Sequence, residues 1–412
     1  MRKVMVVLAV ATVALVASGA ASAQEKAEAT KLEAIKTVTI GENAEFRVNG
    51  KPFLPIMSWV QHANTYKNLR ELGFNTFVGT SSKMDAKQHC EAAGAAGGYA
   101  VPSFGQDGQG AIGHAALLGW IHGDEPDMPG KTGEPRTKPE EVVAHYQLIK
   151  AADKSRPVLV TFTGAFTKQE RSKYDEAAQK KLYSGFVKGC DVAGFDIYPI
   201  YGSGHASHLN WPAYGVEQLR EFAGPRRPVY AWIETSKGSR WMTYEKQPDV
   251  LPKHTRFEVW GALISGATAY GYFTHAWRPD FKEFAPTAEM QAEMKRLNAQ
   301  VTRLAPAILA PRAKAAVAMT LEGGFECAFK ATELEGTLHI FAQNRDLGPN
   351  AEKLGQFAPV FPREAKATVT VAGLKAGTRI EVVDEKRTLT AGDGKFTDDF
   401  GGLAEHVYAI KM

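Results

Sequence analysis

Cysteine is scarce in this chain: Cys90, Cys190 and Cys327 are the three in 412 residues. That is too few for a disulfide framework, and at most one bridge could form. Long apolar runs are missing too. Beyond the N-terminus nothing approaches the roughly 20 residues that a membrane helix needs, so no membrane span is expected. No block of basic residues stands out, and the formal net charge is only +4, which makes nucleic acid and anionic membrane poor partners. Three fingerprints of chemistry are absent as well. No strand-like run is followed by a phosphate-binding glycine loop, and no His-Glu-x-x-His helix occurs. Gly202-Ser203-Gly204 lacks the strand and pattern of a serine elbow. His114, His122, His205 and His208 have no metal-ligand spacing, and Asp124, Glu125 and Asp127 do not match a calcium loop. No metal and no cofactor is expected, and no repeat or low-complexity tract is present.

The N-terminus has its own character. Arg2 and Lys3 precede an apolar stretch over 4–16, and Ala21-Ser22-Ala23 offers a small-residue cleavage site. Residues 1–23 therefore read as a secretory signal peptide, which implies export to the periplasm or medium. Loss of Arg2 and Lys3 lowers the net charge to +2. Residues 24–37 are polar and alanine-rich, a linker. Residues 38–40 and 45–48 alternate around Gly41-Glu42-Asn43, a hairpin signal.

From Phe53 the texture becomes strand, helix, strand, helix. Short, nearly continuous apolar runs at 53–59, 74–79, 99–104, 117–122, 158–163, 192–198, 229–233 and 269–274 read as strands buried on both faces. Helical patterns lie between them at 65–72, 83–93, 138–152, 173–187, 216–222 and 252–264, with a last one at 287–309. The glycine-rich connection 105–116 holds at best one short helix. Eight strands over about 250 residues match a (β/α)8 TIM barrel in the α/β class better than a doubly wound sheet. After Pro311 the pattern turns to short strands with glycine and asparagine turns, a C-terminal antiparallel β-sandwich of about 100 residues. The expected units are the hairpin plus barrel over 38–310 and the sandwich over 311–412.

Two glutamates end strand-like runs: Glu125 in Gly123-Asp124-Glu125-Pro126, and Glu234 in Tyr230-Ala231-Trp232-Ile233-Glu234. A carboxylate placed there is costly to desolvate. Barrel active sites form where strands end, and two carboxyl groups across such a mouth are what glycosidic bond cleavage requires. Isolated Glu-Pro would equally suit a helix cap; the second glutamate and the strand count favour chemistry.

The chain resembles the glycoside hydrolases of clan A, the 4/7 superfamily. Asp124-Glu125-Pro126 matches the clan's Asn-Glu-Pro after strand four, and Ile233-Glu234-Thr235 its nucleophile position after strand seven. Phe46-Arg47-Val48-Asn49-Gly50-Lys51-Pro52-Phe53 and Leu72-Gly73-Phe74-Asn75-Thr76 are similar to barrel beginnings in that clan. The resemblance spans roughly 45–305 and implies Glu125 as acid/base and Glu234 as nucleophile of a retaining reaction. Two departures stand out: Asp124 replaces the clan's asparagine, and strand two ends Phe77-Val78-Gly79-Thr80 without its arginine. For a carbohydrate substrate, Asp124, Tyr198, Trp277, Trp59, Gln61 and Trp241 are the expected binding residues. Trp59 as core, Trp277 and Trp241 as rim residues, and Tyr198 in a Tyr-Pro turn are the plainer readings. The functional alternatives are a carbohydrate-binding barrel without turnover and a metal-dependent hydrolase.

Overall fold

The computed structural model describes residues 32–130, 133–169 and 175–412. The expected signal peptide and most of the expected linker lie outside these residues. The first described elements form a small antiparallel sheet: β1 (Val38–Ile40), β2 (Phe46–Val48) and β3 (Lys51–Phe53).

The barrel follows. Its strands and helices are β4 (Ile56–Trp59), α1 (Tyr66–Glu71), β5 (Thr76–Val78), α2 (Ala86–Ala95), β6 (Tyr99–Val101), β7 (Trp120–Ile121), α3 (Pro139–Ala152) and β8 (Val158–Thr163). They continue as α4 (Glu176–Phe186), β9 (Val192–Asp196), α5 (Trp211–Ala223), β10 (Val229–Glu234), α6 (Pro252–Ile264), β11 (Ala269–Phe273) and α7 (Ala288–Ile308). The eight strands β4 to β11 pair in parallel. Parallel bridges Ala100↔Leu117 and Ser103↔Ile121 join β6 to the β7 region and close the ring. The expected strand at 117–122 is thus a two-residue ladder with bridges on both sides. The glycine-rich segment after β6 forms only a 3-10 turn, Gly108–Ala111, where a barrel helix would stand.

A closed ring must fill its own interior. Met57, Val78, Val101, Leu159, Val192, Tyr230 and Trp232 pack together there, and Phe46 and Val48 of the small sheet join the same cluster. Tyr230 and Trp232 supply most of the bulk, and their neighbours make room. A Cβ on Gly194 would sit 2.0 Å from the Tyr230 ring, and one on Gly271 would sit 2.1 Å from Trp232. The two rings are also tied down: Tyr230 and Trp232 both reach the Thr161 hydroxyl, at 2.8 and 3.1 Å.

The C-terminal region has β12 (Val317–Leu321), β13 (Cys327–Leu334), β14 (Thr337–Asn344), β15 (Ala365–Val371), β16 (Arg379–Val382), β17 (Arg387–Thr390), β18 (Lys395–Phe400) and β19 (Glu405–Lys411). They form two antiparallel sheets, β12-β15-β18 and β13-β14-β19-β16-β17, around a shared apolar core. β17 and β18 extend the sequence-based expectation. The sandwich docks on α6 and α7: Phe341 stacks on Trp260 with ring centres 6.0 Å apart, and Gln343 donates to the Phe257 carbonyl at 2.8 Å. Arg345, 3 % exposed, donates to the Ser265 hydroxyl at 2.7 Å. All three cysteines are free thiols, and no helix of the described residues is long and apolar enough to cross a membrane.

Because Phe341 is 1 % exposed at this junction, Phe341→Ala should destabilise the whole chain by about 3–5 kcal/mol. Urea unfolding checks this; a loss below about 1 kcal/mol would mean the junction is not a packed core.

Candidate active site

Side chains alternate along β9. Val192 and Gly194 point into the barrel while Ala193 and Phe195 face the helices, so Asp196 turns inward at the upper rim. Glu125 reaches the same rim from the loop after β7. Its N–H donates to the Thr161 carbonyl at 3.1 Å, and its backbone has φ +45°, a region that non-glycine residues rarely occupy. The carboxyls of Glu125 and Asp196 lie within hydrogen-bonding reach of each other.

Their surroundings differ. Arg136 Nη2 lies 3.9 Å from Glu125 Oε2, and the Arg240 guanidinium also acts on Glu125. Burial raises the Glu125 pKa, and the hydrogen bond with Asp196 and these two cations oppose the rise. Asp196 has no such help. Burial raises it first, then the charges of Glu125, Asp124 and Asp127, so its pKa stands well above the usual carboxylate range. The shared proton therefore rests on Asp196. Asp124 opens toward the mouth, yet its recessed position and the Glu125 charge raise it to about 7. Asp127 is a fastener, accepting from Thr163 N–H at 2.9 Å, the Thr163 hydroxyl at 2.7 Å and the Tyr183 hydroxyl at 2.6 Å.

Glu234, the other expected carboxyl, is held inside the wall. It ends β10 on the inward side, but its carboxyl is 0 % exposed. Ile200 N–H donates to both its oxygens, at 2.9 and 3.1 Å, and Tyr201 N–H donates at 2.6 Å. Unpaired amides after β9 thus hold the carboxylate in the wall. Its titrating neighbour is Glu258 of α6, also buried. Burial lifts Glu234 to about 7 against those amides, and burial plus the Glu234 charge lift Glu258 further. Beyond Glu234, whose backbone amide and carboxyl both act on it, Glu258 has no side-chain donor among the described residues, so a proton shared with Glu234 is what satisfies it.

The expected binding residues divide. Tyr198 is half-buried beside Asp196, its ring 4.8 Å from Phe273, and burial raises its hydroxyl pKa well above the usual value. Trp241 and Trp277 are 58 % and 38 % exposed, and the Arg240 guanidinium lies 5.3 and 5.2 Å from their ring centres. Phe281 extends this exposed group, 4.9 Å from Trp277. Trp59 packs edge-on against Trp232 at 5.2 Å and roofs the interior. Gln61 lines nothing: it is fully buried and donates to the Glu283 carbonyl at 2.8 Å and the Thr274 hydroxyl at 3.2 Å. Of the histidines, His122 is buried against the Gly189 carbonyl, and His205 and His208 stack toward Trp211.

Solved structures share this architecture. A glycoside hydrolase superposes with a TM-score of 0.54 at 12% identity, covering 91% of this chain and 96% of its own. A glycoside hydrolase family 5 protein from Bacteroides vulgatus gives 0.54 at 11% identity, covering 92% of this chain and 95% of its own. The likeness establishes a shared fold that extends past the barrel into the C-terminal sheets. No protein-family model and no curated protein sequence matches the chain.

The Glu234–Glu258 pair makes a pH prediction. Both folded-state values lie above the ordinary 4.5, so the folded chain binds more protons than the unfolded one. Stability from this pair is complete below about pH 4.5 and falls as pH rises through about 7. Glu258→Gln keeps a donor for Glu234 and removes one titration. Its melting temperature relative to the parent should climb by roughly 2–4 °C between pH 5 and pH 8; a flat difference would refute the shared proton.

Proposed function

We propose that the chain is an exported glycoside hydrolase that cleaves O-glycosidic bonds of an oligo- or polysaccharide at the Glu125–Asp196 pair. The observation that carries this reading is the carboxyl pair within hydrogen-bonding reach at the barrel mouth, one member flanked by arginines and the other by carboxylates. The shared fold with glycoside hydrolases and the exposed aromatic faces of Trp241 and Trp277, suited to stacking on sugar rings, support it. The N-terminal segment supports export.

Pairs of acids whose surroundings separate their proton affinities divide the labour of acid and base. By that rule Asp196 is the proton donor and Glu125 the ionised partner, the reverse of the role that sequence resemblance gives Glu125. Asp196 passes its proton to the glycosidic oxygen as the C–O bond breaks. The Glu125 carboxylate, kept ionised by Arg136 and Arg240, attacks the anomeric carbon and forms a glycosyl ester. Asp196 then takes a proton from the water that opens the ester, and Glu125 leaves as carboxylate. Carboxyls in contact leave no room for the water of an inverting pair, which needs about 6.5–9.5 Å, so retention is the proposed outcome; the substrate has only to part them to about 5–5.5 Å. Glu234 and Tyr198 are positioning and binding residues here. Glu234 anchors Ile200 and Tyr201, and through them the segment that carries Tyr198.

Variants separate these roles. Asp196→Asn should lose roughly 10²–10⁴-fold on poor leaving groups while activated aryl glycosides still form the glycosyl ester. Glu125→Ala should stop turnover on both, and azide should restore some with inverted product. Glu234→Gln should keep measurable activity on both. Should Glu234→Gln alone abolish turnover while Glu125→Ala retains it, the wall glutamate is the nucleophile and the proposed pair is wrong.

The aromatic rim makes a simpler claim. Trp277→Ala and Trp241→Ala should each raise KM by roughly 2–10-fold with kcat nearly unchanged, the mark of lost uniform binding. A fall in kcat with KM constant would place these rings in the reacting centre instead.

A further inference from the structure

A cavity of about 670 Å³ lies at the other end of the barrel, under the starts of the strands. Arg220 near the end of α5, the turn before β11, the end of α7, the segment leading to β12, and β13 enclose it. Four cations line it, Arg220, Arg312, Lys314 and Lys330, against the single carboxylate of Glu42. Among the described residues none of the four has an ion-pair partner. Arg220 donates only to the Gly266 carbonyl, at 3.2 Å. Lys330 is half-buried, its ammonium has no hydrogen-bond partner among the described residues, and burial together with the Arg220 charge lowers its pKa to about 8.

Such a grouping is unfavourable on its own. Like charges line one partly desolvated space, Glu42 is the single carboxylate beside them, and no ion pair among the described residues neutralises them. The remaining wall is mixed: Ile264, Ile308, Leu309 and Phe329 supply apolar surface, and Asn43, Thr268 and Thr332 supply polar groups. We infer that this basal cavity binds a small ligand that carries an oxyanion, a phosphate, sulfate or carboxylate group, between Arg220 and Lys330. The volume lies in the range of small-molecule sites. Phe329 is the one aromatic residue in the lining, so the stacking series that single-stranded nucleic acid uses is missing. A guanidinium and an ammonium lining one cavity are what a compact oxyanion needs.

The anion has two sources, a free inorganic ion or an acidic sugar, and a space of about 670 Å³ lined by Asn43, Thr268 and Thr332 as well as the cations favours the sugar. Isothermal titration of the full chain at pH 7 and low ionic strength, with inorganic phosphate, glucose 6-phosphate and glucuronate as separate titrants, tests both. Saturable binding to one site supports the proposal. Tighter binding of the sugar anions identifies an acidic sugar, and equal or tighter binding of phosphate identifies the free ion. Lys330→Met and Arg220→Met should each weaken that binding by roughly tenfold, and Lys330→Gln should follow Lys330→Met. Lys330→Met should melt no lower than the parent without ligand, because it removes a repulsion; a merely structural lysine would lower the melting temperature. Glu125→Gln at the distant mouth should leave anion affinity intact, so this site and the glycosidase reading fail or stand separately. Absence of binding by all three titrants, or affinity indifferent to both substitutions, would overturn the inference.

Discussion

Eight parallel strands closed on themselves enclose a space that only their own inward side chains can fill. In this chain one strand carries most of that duty. Tyr230 and Trp232 of β10 cross the interior, Gly194 and Gly271 on the flanking strands yield to them, and Thr161 fixes both rings. The floor of the mouth is thereby set, with Trp59 closing it against Trp232. Everything chemical stands on this layer: Asp196 is the next inward position above Gly194, and Glu125 arrives beside it from the β7 loop.

The rim above that floor concentrates carboxyl groups, and each is handled differently. Asp127 is saturated by Thr163 and Tyr183. Glu234 is held by two backbone amides, with a protonated Glu258 behind it. Asp124 opens to the mouth. Glu125 and Asp196 alone meet one another at the mouth, with cations on one side only. Burying ionisable groups that structure does not require is expensive, and the pair left incompletely satisfied is the one placed for chemistry. The positive φ of Glu125 belongs to the same pattern, a strained backbone at the point where a side chain must be aimed.

Much of the fold was legible because buried parallel strands must be apolar throughout. The helix over 252–264 has the expected bounds, with Pro252 at its first position. The 105–116 segment was too rich in glycine for a helix, and a 3-10 turn stands there. β18 escaped notice because Asp398 occupies an inward position among apolar residues, paired with Arg387 and Tyr408. That compensation lies far away in sequence and breaks the alternation a reader follows. The site was half legible. Glu125 announced itself as a carboxylate after a strand. Asp196 stood in Asp196-Ile197-Tyr198-Pro199 and was passed over for its tyrosine, although counting inward positions from Val192 reaches it. The capture of Glu234 depends on two amides of another loop, and no local pattern encodes that.

Helix α6 belongs to both halves of the molecule. Its Thr255 hydroxyl donates to the Glu234 carbonyl and its Glu258 backs the Glu234 side chain, while Arg256, Phe257 and Trp260 of the same helix engage Glu405, Gln343 and Phe341 of the sandwich. One face of a single helix thus steadies the wall of the mouth as the opposite face is clamped by the C-terminal sheets. The sandwich acts on the site as a splint acts on a joint, by limiting how far the wall can breathe. The fold has no boundary at which its two parts can come apart and leave the rim of the mouth unchanged.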